Sequence, residues 1–430
     1  MARGGSLTRD GKRLLLLSLV FPPDAVSTAQ LFGEVVEDLV ALGWHVDVVT
    51  TKPHFNPPEG SSNAQPLAPL WGGLLAKSTF RGATVWHTAM PMKGSSVAMR
   101  IGGWLGFHFL SVLAAWLRVG RIDVILAPSP PLSTGVAAWL IGLLKRAPFI
   151  YNVQELYPDT AVSLGVVREG VLLDLMRRME RFVYARAFAI TTIAPGMAQA
   201  IAGRTRDAGK VRVIPNFVDT RAIAPRPRDN PFSREFDLSR RFSVVYAGNM
   251  GPAQGLEAVL DAAELTRDDA RIVYVFVGDG TSRDSLERSA RSRQLANVVF
   301  IPQQPYERVP DIYGASDLCV VPLIAGLVAE AVPSKVYRIM AAERLVLAIA
   351  DRESDLAALV RDSGAGVVAE PGNASVLAGT IRAASVSIND GRGKLGRQYV
   401  IARADRTRIT KDYSDLLDRA VRREAWGSAH

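Results

Sequence analysis

Residues 331–348 read AVPSKVYRIMAAERLVLA, a stretch that predicts the start of a helix followed directly by an apolar β-strand. Ser334 and Lys335 bring a hydroxyl group and an ammonium group to that predicted helix start. The N–H groups at a helix start are unpaired and attract anions, so the stretch is suited to holding a diphosphate. A capped helix whose basic side chains merely face water explains the same residues equally well, and the rest of the chain has to decide between the two.

The alternation of helix and strand continues through both halves of the chain. Short apolar, β-branched runs are separated by longer helical patterns, which is typical of βα units wound on a parallel sheet. The predicted fold is α/β, with doubly wound, Rossmann-like domains at residues 1–203 and 204–404, and a last helix at 405–430 that packs back on the first domain. Ligands of such sheets bind beyond the carboxyl ends of the strands, so two facing sheets form a binding cleft. The strand candidates are 14–21, 46–50, 84–86, 124–127, 149–153 and 189–193 in the first half, and 213–215, 243–247, 272–277, 298–301, 318–321, 346–349 and 366–368 in the second.

Composition limits the classes of partner and compartment. The 430 residues are 48% hydrophobic and carry a net charge of +9, which is typical of a globular protein with anionic partners. We predict no nucleic-acid binding, because no basic run is interleaved with aromatic residues. The single cysteine, Cys319, lies in an apolar run, which predicts a buried thiol and favours a cytoplasmic location. The apolar run at 14–21 is short and ends in two prolines, so it predicts a first strand rather than a secretory signal.

One segment breaks the βα pattern. Residues 101–117 contain no charged side chain and lie at the lower length limit for a helix that spans a membrane. Their glycines, together with His108 and Ser111, argue against a span. We predict an amphipathic helix that contacts a membrane surface from about Trp104 to Arg121, and the alternative is an ordinary core helix.

Two glycine-rich turns follow predicted strands in the second half. Residues 246–255 read YAGNMGPAQG, and their three glycines let the backbone approach a phosphate closely. Residues 277–280, VGDG, form a second such turn, although glycines at strand ends often only permit tight turns. Neither turn matches a P-loop or the dinucleotide-binding fingerprint.

The order of these motifs resembles that of the family-4 glycosyltransferases of GT-B fold. In the second half the resemblance rests on the two glycine turns, NVVFIP at 297–302, YGASDLCVVPL at 313–323, PSK at 333–335 and GAGVV at 364–368. In the first half it rests on FPPD at 21–24 and GWHV at 43–46. Residues 151–159, YNVQELYPD, are most similar to the WbuB-like transferases of bacterial polysaccharide assembly.

The resemblance implies transfer of a sugar from a nucleotide diphosphate donor, usually a UDP-sugar, with retention at the anomeric carbon and without a metal or other cofactor. It implies a polyprenyl-diphosphate-linked saccharide as acceptor and a cytoplasmic enzyme peripheral to the inner face of the plasma membrane. The sequence itself contains no Asp-x-Asp and no His, Asp or Glu cluster at ligand spacing. Cationic side chains must then stabilise the leaving diphosphate.

The donor residues depart from the family pattern. Many relatives carry Arg and Lys in the first glycine turn, where this chain has Asn249 and Gln254, and the usual Glu-x7-Glu pair is replaced by Glu330 and Arg338. We therefore expect Lys335 and Arg338 to supply positive charge and Glu330 to hold a hydroxyl of the donor sugar. The predicted donor-binding residues are Gly248, Asn249, Gly251, Gln254, Gly278, Gln303, Ser334 and Lys335.

The acceptor site is predicted in the first half. Gln154 takes the place of a histidine found in many relatives, and Glu155 that of an aspartate, so Glu155 is the candidate to bind or deprotonate an acceptor hydroxyl. Alternatively, Glu155 or Asp159 only caps the following helix. Ser27 and Gln30, in the first strand-to-helix loop, complete the predicted acceptor site. Two other functions stay open at this point: a UDP-sugar 2-epimerase of the same fold, and a non-catalytic nucleotide-sugar-binding protein.

Overall fold

The computed structural model describes residues 11–54, 65–90, 97–163, 165, 167–326, 332–387 and 391–424. They form two sheets, one of nine strands in the order β3-β4-β5-β2-β1-β6-β7-β8-β9 and one of six in the order β12-β11-β10-β13-β14-β15. The strands are β1 (Arg13–Leu17), β2 (His45–Thr51), β3 (Ala68–Leu70), β4 (Leu75–Phe80), β5 (Ala83–Thr88), β6 (Val124–Ser129), β7 (Phe149–Val153), β8 (Ala189–Thr192), β9 (Val211–Val213), β10 (Phe242–Ala247), β11 (Ile272–Val277), β12 (Val298–Ile301), β13 (Leu318–Pro322), β14 (Leu345–Ile349) and β15 (Gly366–Ala369).

Helices connect the strands and cover the sheets. They are α1 (Ser27–Ala41), α2 (Val97–Leu117), α3 (Thr134–Lys145), α4 (Asp159–Ser163), α5 (Val171–Arg186), α6 (Pro195–Ala202), α7 (Pro231–Glu235), α8 (Glu257–Leu265), α9 (Arg283–Ser292), α10 (Val309–Gly314), α11 (Lys335–Ala341), α12 (Asp355–Ser363), α13 (Ala374–Val386), α14 (Arg392–Arg403) and α15 (Arg406–Arg422). Short 3₁₀ turns lie at Trp71–Gly73, Ala208–Lys210, Pro252–Gln254 and Tyr306–Arg308.

Parallel pairing explains why the strands are so apolar. Every residue of β11 is buried, and in β1 only Arg13 is not, because helices cover both faces of a parallel sheet. The pairing of β1 with β2 sets Leu14 opposite Val46 and Leu16 opposite Val48. Among the strands described, the antiparallel pairs are β3 with β4 and β4 with β5, at one edge of the first sheet. The predicted architecture of two doubly wound α/β domains is confirmed.

The boundary between the domains lies later than Gly203. The candidate strand at 213–215 was assigned to the second half, but the structure places β9 in the first sheet, where Val211 pairs with Ile190 of β8. This assignment was wrong because a short apolar run does not show which sheet it joins. The β3–β4 hairpin was also missed, because its strands are short and only partly apolar.

The last helix, α15, packs on the first domain. Arg406 forms ion pairs with Asp38 at 2.6 Å and with Glu37 at 3.0 Å, both on α1. The indole Nε1 of Trp44 donates to Ser414 Oγ at 3.1 Å. The chain thus returns from the second domain to the first, where α15 packs on α1.

The carboxyl edges of the two sheets face each other. After β8, the first turn of α6 presents the amides of Gly196 and Met197, which donate to the two carboxylate oxygens of Asp355 at 2.8 and 3.1 Å. Asp355 begins α12, directly after β14. A helix N-terminus favours a carboxylate, so this contact stabilises one end of the domain interface.

Substituting Gly196 with alanine is expected to break this contact. A Cβ there would lie 2.7 and 2.8 Å from the Asp355 oxygens, too close for the carboxylate to keep its place. Loss of hydrogen bonds to a charged group costs about 1.5–3 kcal/mol, so the thermal unfolding midpoint should fall by several degrees. Gly203→Ala is the control, since the nearest atom to its Cβ would be 3.6 Å away. An unchanged midpoint in Gly196→Ala would show that the contact contributes nothing.

Candidate active site

Two contacts join the domains at the centre of the cleft. The hydroxyl groups of Ser27, at the start of α1, and Ser334, directly before α11, lie 2.9 Å apart. The guanidinium of Arg338 donates to Gln30 Oε1 at 3.2 Å. The structure therefore brings together two predicted acceptor residues and two predicted donor-side residues from motifs that lie far apart in the sequence.

The two glycine turns pack directly on each other. The amide of Gly248 donates to Val277 O at 2.9 Å, and that of Met250 donates to Asp279 O at 2.8 Å. Gly278 has a φ of +137°, and a Cβ there would lie 2.2 Å from Gly248 O. Only glycine fits at Gly278, and the packing leaves Gly248 and Asn249 exposed at the cleft.

Lys335 lies against this exposed backbone. Its Nζ is 3.8 Å from the centre of the Tyr246 ring and would be 3.0 Å from a Cβ on Gly248. No carboxylate of the described part of the chain forms an ion pair with it. Burial, and after it the charge of Arg338, lower the pKa of Lys335 to about 7. An anion placed beside Gly248 would therefore meet a cation that no described side chain neutralises.

Arg338 is engaged by the first domain. Besides its bond to Gln30, its guanidinium lies over the Tyr306 ring, 5.3 Å from the ring centre. It also faces Glu34, which lies one turn after Gln30 on α1. Burial raises the pKa of Glu34, and the charges of Arg406 and Arg338 offset part of that rise. The structure thus gives Arg338 a part in joining the domains as well as in the charge of the cleft.

Gln154 and Glu155 follow β7 at the carboxyl edge of the first sheet. Gln154 Nε2 donates to Asn152 Oδ1 at 2.8 Å, and Asn152 Nδ2 donates to Thr191 Oγ1 at 2.8 Å and to the Tyr413 hydroxyl at 3.1 Å. This buried network holds the side chain of Gln154 in place. Burial raises the pKa of Glu155, which suits a carboxylate that has to accept a proton.

Three further predicted residues have different outcomes. Asp159 hydrogen-bonds to Arg204, which also contacts Glu180 at 3.1 Å, so Asp159 has a structural partner, and its contact with the acceptor stays a prediction. Gln254 Oε1 accepts from the Gly251 amide at 2.9 Å and so shapes the turn itself. Gln303 is exposed two residues after β12. Glu330 lies outside the described residues.

The described side chains that could bind a metal ion are scattered, and the single thiol is buried. Within the described ranges, no three His, Cys, Asp or Glu side chains lie together in a group that could hold a metal ion. Cys319 is buried in β13, and burial raises the pKa of its thiol to about 12. The thiol is therefore a core group, as the sequence predicts.

Family models match both domains. Residues 28–216 match the glycosyl transferase 4-like domain, and residues 230–387 match glycosyl transferases group 1. The first match ends three residues after β9, in agreement with the later domain boundary.

Individual relatives support the same family. The chain is 26% identical over 272 residues to the glycosyltransferase WbjE of Pseudomonas aeruginosa. The aligned region covers 63% of this chain and 68% of WbjE. It is 24% identical over 413 residues to WcaI of Escherichia coli (strain K12), named as a colanic acid biosynthesis glycosyl transferase. The aligned region covers 93% of this chain and 98% of WcaI.

Solved structures share the fold. Sucrose-phosphate synthase from Thermosynechococcus elongatus superposes with a TM-score of 0.73 at 18% identity, covering 96% of this chain and all of the other. HepE from Anabaena, in complex with UDP-glucose, superposes with a TM-score of 0.72 at 14% identity, covering 95% of this chain and all of the other. With its two facing domains, its glycine turns and these matches, the chain belongs to the family-4 glycosyltransferases of GT-B fold.

Proposed function

We propose that this glycosyltransferase moves a sugar from a UDP-sugar to a polyprenyl-diphosphate-linked saccharide in the assembly of a bacterial cell-surface polysaccharide. The observation that carries the proposal is Lys335, a cation with no described carboxylate partner, placed beside the exposed Gly248 backbone in the cleft. The polysaccharide pathway is supported by the name of WcaI, and the UDP donor by the nucleotide bound to HepE. Membership of the WbuB-like subgroup stays a prediction.

The residues suggest how the transfer proceeds. As the bond from the sugar to the diphosphate breaks, negative charge grows on the leaving phosphate, and the Lys335 ammonium stabilises it. Glu155 accepts the proton of the attacking acceptor hydroxyl. We propose that the acceptor attacks on the face from which the diphosphate leaves, which retains the anomeric configuration.

We also propose that the reaction needs no metal. Lys335, with Arg338 nearby, offers the positive charge that a divalent ion would otherwise bring to a diphosphate. Activity should be unchanged in EDTA, and a requirement for added magnesium or manganese would contradict this part of the account.

Turnover with defined substrates tests the proposed function. A panel of nucleotide sugars is incubated with polyprenyl-diphosphate-linked saccharides, and both UDP release and lipid mass are measured. A lipid that gains one sugar residue, with the anomeric configuration of the donor preserved by NMR, is the expected result. Saturable UDP binding without release on any acceptor would indicate a binding protein, and isomerisation of the donor sugar without acceptor would indicate an epimerase.

Donor binding is expected to depend on pH through Lys335. In the free enzyme its pKa of about 7 means that the ammonium loses its proton as pH rises above 7. A bound diphosphate stabilises the charged form and raises that pKa, so UDP affinity should fall by up to roughly tenfold per pH unit between the two pKa values. Lys335→Arg keeps its charge and should flatten the profile, which calorimetric titration from pH 6.5 to 9 would show. An equal slope in both proteins would contradict this assignment.

A membrane contact is proposed for the outer face of the first domain. There α2 packs on α3, which packs on α5, and the three helices expose large apolar side chains. Leu105 and Phe109 of α2 are 66% and 68% exposed, and Leu172 and Leu175 of α5 are 54% and 55% exposed. Arginines of α5, such as Arg181, are exposed as well. No helix within the described ranges is long and apolar enough to cross a bilayer. An apolar patch bordered by basic residues suits the surface of an anionic membrane, and we place the enzyme at the inner face of the plasma membrane.

Charged substitutions on this face should weaken membrane binding. Leu105→Glu combined with Phe109→Glu removes two neighbouring apolar side chains and adds negative charge, so binding to phosphatidylglycerol vesicles should fall at least about fivefold in a sedimentation assay. UDP affinity should not change. Val376→Glu, on α13 of the other domain and 53% exposed in the wild type, is the control. Equal vesicle binding by all three proteins would contradict the proposed contact.

A further inference from the structure

Tyr246 lies at the end of β10 and contacts both parts of the proposed donor site. Its side chain is buried, with 1% of its surface exposed, and its ring lies 6.4 Å from that of Phe276 in the same core. We propose that Tyr246 is a positioning residue that holds Lys335 through its ring and the first glycine turn through its hydroxyl. The proposal rests on the donor-binding role given above to the cleft.

The ring provides the contact with Lys335. At 3.8 Å from the ring centre, Nζ lies well within the distance at which an ammonium is attracted to the negative face of an aromatic ring. Such attraction is strongest where water is excluded, and burial is the main reason for the lowered pKa of Lys335. Because no described carboxylate pairs with Lys335, the ring is the side chain that favours its charged form. Weakening the negative charge of the ring face, with the size of the ring unchanged, should therefore lower the lysine pKa further.

The hydroxyl provides the contact with the turn. It donates a hydrogen bond to the backbone carbonyl of Asn249. That carbonyl follows Gly248, whose φ of +137° is a conformation that glycine alone adopts easily. The bond thus fixes the peptide beside the proposed diphosphate position. One side chain sets both the exposed backbone and the cation that lies against it.

Three substitutions separate the two contacts. Tyr246→Phe keeps the ring and removes the hydroxyl, whereas Tyr246→Leu removes both, and each is also made together with Lys335→Ala. UDP affinity is measured at pH 8 by calorimetric titration. We expect Tyr246→Leu to weaken UDP binding about tenfold when Lys335 is present and only about two- to threefold when it is absent, because the ring acts through the lysine and only the loss of the hydroxyl then remains. Tyr246→Phe should weaken binding about two- to threefold in both backgrounds, because the hydroxyl acts on the turn.

Fluorinated phenylalanines at position 246 provide a test that does not depend on the fold of the leucine variant. Stepwise fluorination keeps the size of the ring and removes the negative charge from its face, so UDP affinity should fall with each added fluorine. The midpoint of the pH dependence should move to lower pH in the same order, which a merely structural role would not cause.

Several results would overturn the proposal. Equal weakening by Tyr246→Leu with and without Lys335 would show that the ring does not act through the lysine. Tighter UDP binding in the fluorinated series would show that the ring holds Lys335 away from the ligand. An unchanged affinity in Tyr246→Phe would remove the role of the hydroxyl. If the wild type binds no nucleoside diphosphate, the proposed function itself fails. If the wild type binds UDP and Lys335→Ala weakens it, only the role of Tyr246 is in question.

Discussion

Lys335→Ala should lower the turnover number of sugar transfer by about 10²–10³-fold, because removing one group that stabilises developing negative charge typically costs that much. The lysine lies beside Gly248 with no described carboxylate partner, and Arg338 is the basic side chain whose charge acts on it. Arg338 is held by Gln30 and stacks on Tyr306. Initial rates of UDP release with a lipid-linked acceptor measure the effect.

The control for this substitution is Lys394→Ala, on the exposed side of α14. It removes the same charge from the same domain and should leave the rate unchanged. Lys335→Arg should recover part of the activity, since it restores the charge with a different shape. A Lys335→Ala enzyme that keeps more than half of the wild-type turnover would show that the diphosphate leaves without help from this side chain.

Gly278→Ala should disable donor binding almost completely. The new Cβ would lie 2.2 Å from Gly248 O and 3.0 Å from the carbonyl carbon of the same residue, so the first glycine turn would have to move. The positive φ of Gly278 adds a backbone strain of about 1–3 kcal/mol. We expect kcat/KM for the donor to fall by at least about 100-fold, a loss of about 2.7 kcal/mol in transition-state binding.

Gly372→Ala separates the clash from the strain. Gly372 also has a positive φ, +85°, but no atom lies within 4 Å of the position of its Cβ. It should therefore lose some stability and keep the kinetics of the wild type. Equal donor KM values in Gly278→Ala and Gly372→Ala would show that the packing of the two glycine turns is not needed for donor binding.

The central part of the fold could be predicted from the sequence. Strands such as β10 and β11 are largely apolar runs that each end at a glycine, and their apolar character follows directly from burial on both faces of a parallel sheet. The placement of Ser334 and Lys335 at the cleft follows from the same rule, since they lie at the start of a helix at the carboxyl edge of the sheet. Local patterns were sufficient here because the constraint is itself local.

Other features depend on contacts that no local pattern encodes. The pairing of β9 with β8 decides the domain boundary, and the Arg204–Asp159 contact gives Asp159 a partner 45 residues away. The network that joins Gln154 through Asn152 to Tyr413 connects segments 261 residues apart at its longest step. Tyr246 reads in sequence as one more apolar strand residue, and only the position of Lys335 above its ring shows a further role.

The most direct test of the account is a crystal structure of the enzyme with UDP. The account predicts the diphosphate beside the backbone of Gly248 and Asn249, with Lys335 Nζ within about 4 Å of a phosphate oxygen, the distance of an ion pair. A diphosphate bound elsewhere, with Lys335 still over Tyr246 and no phosphate oxygen within reach, would contradict it.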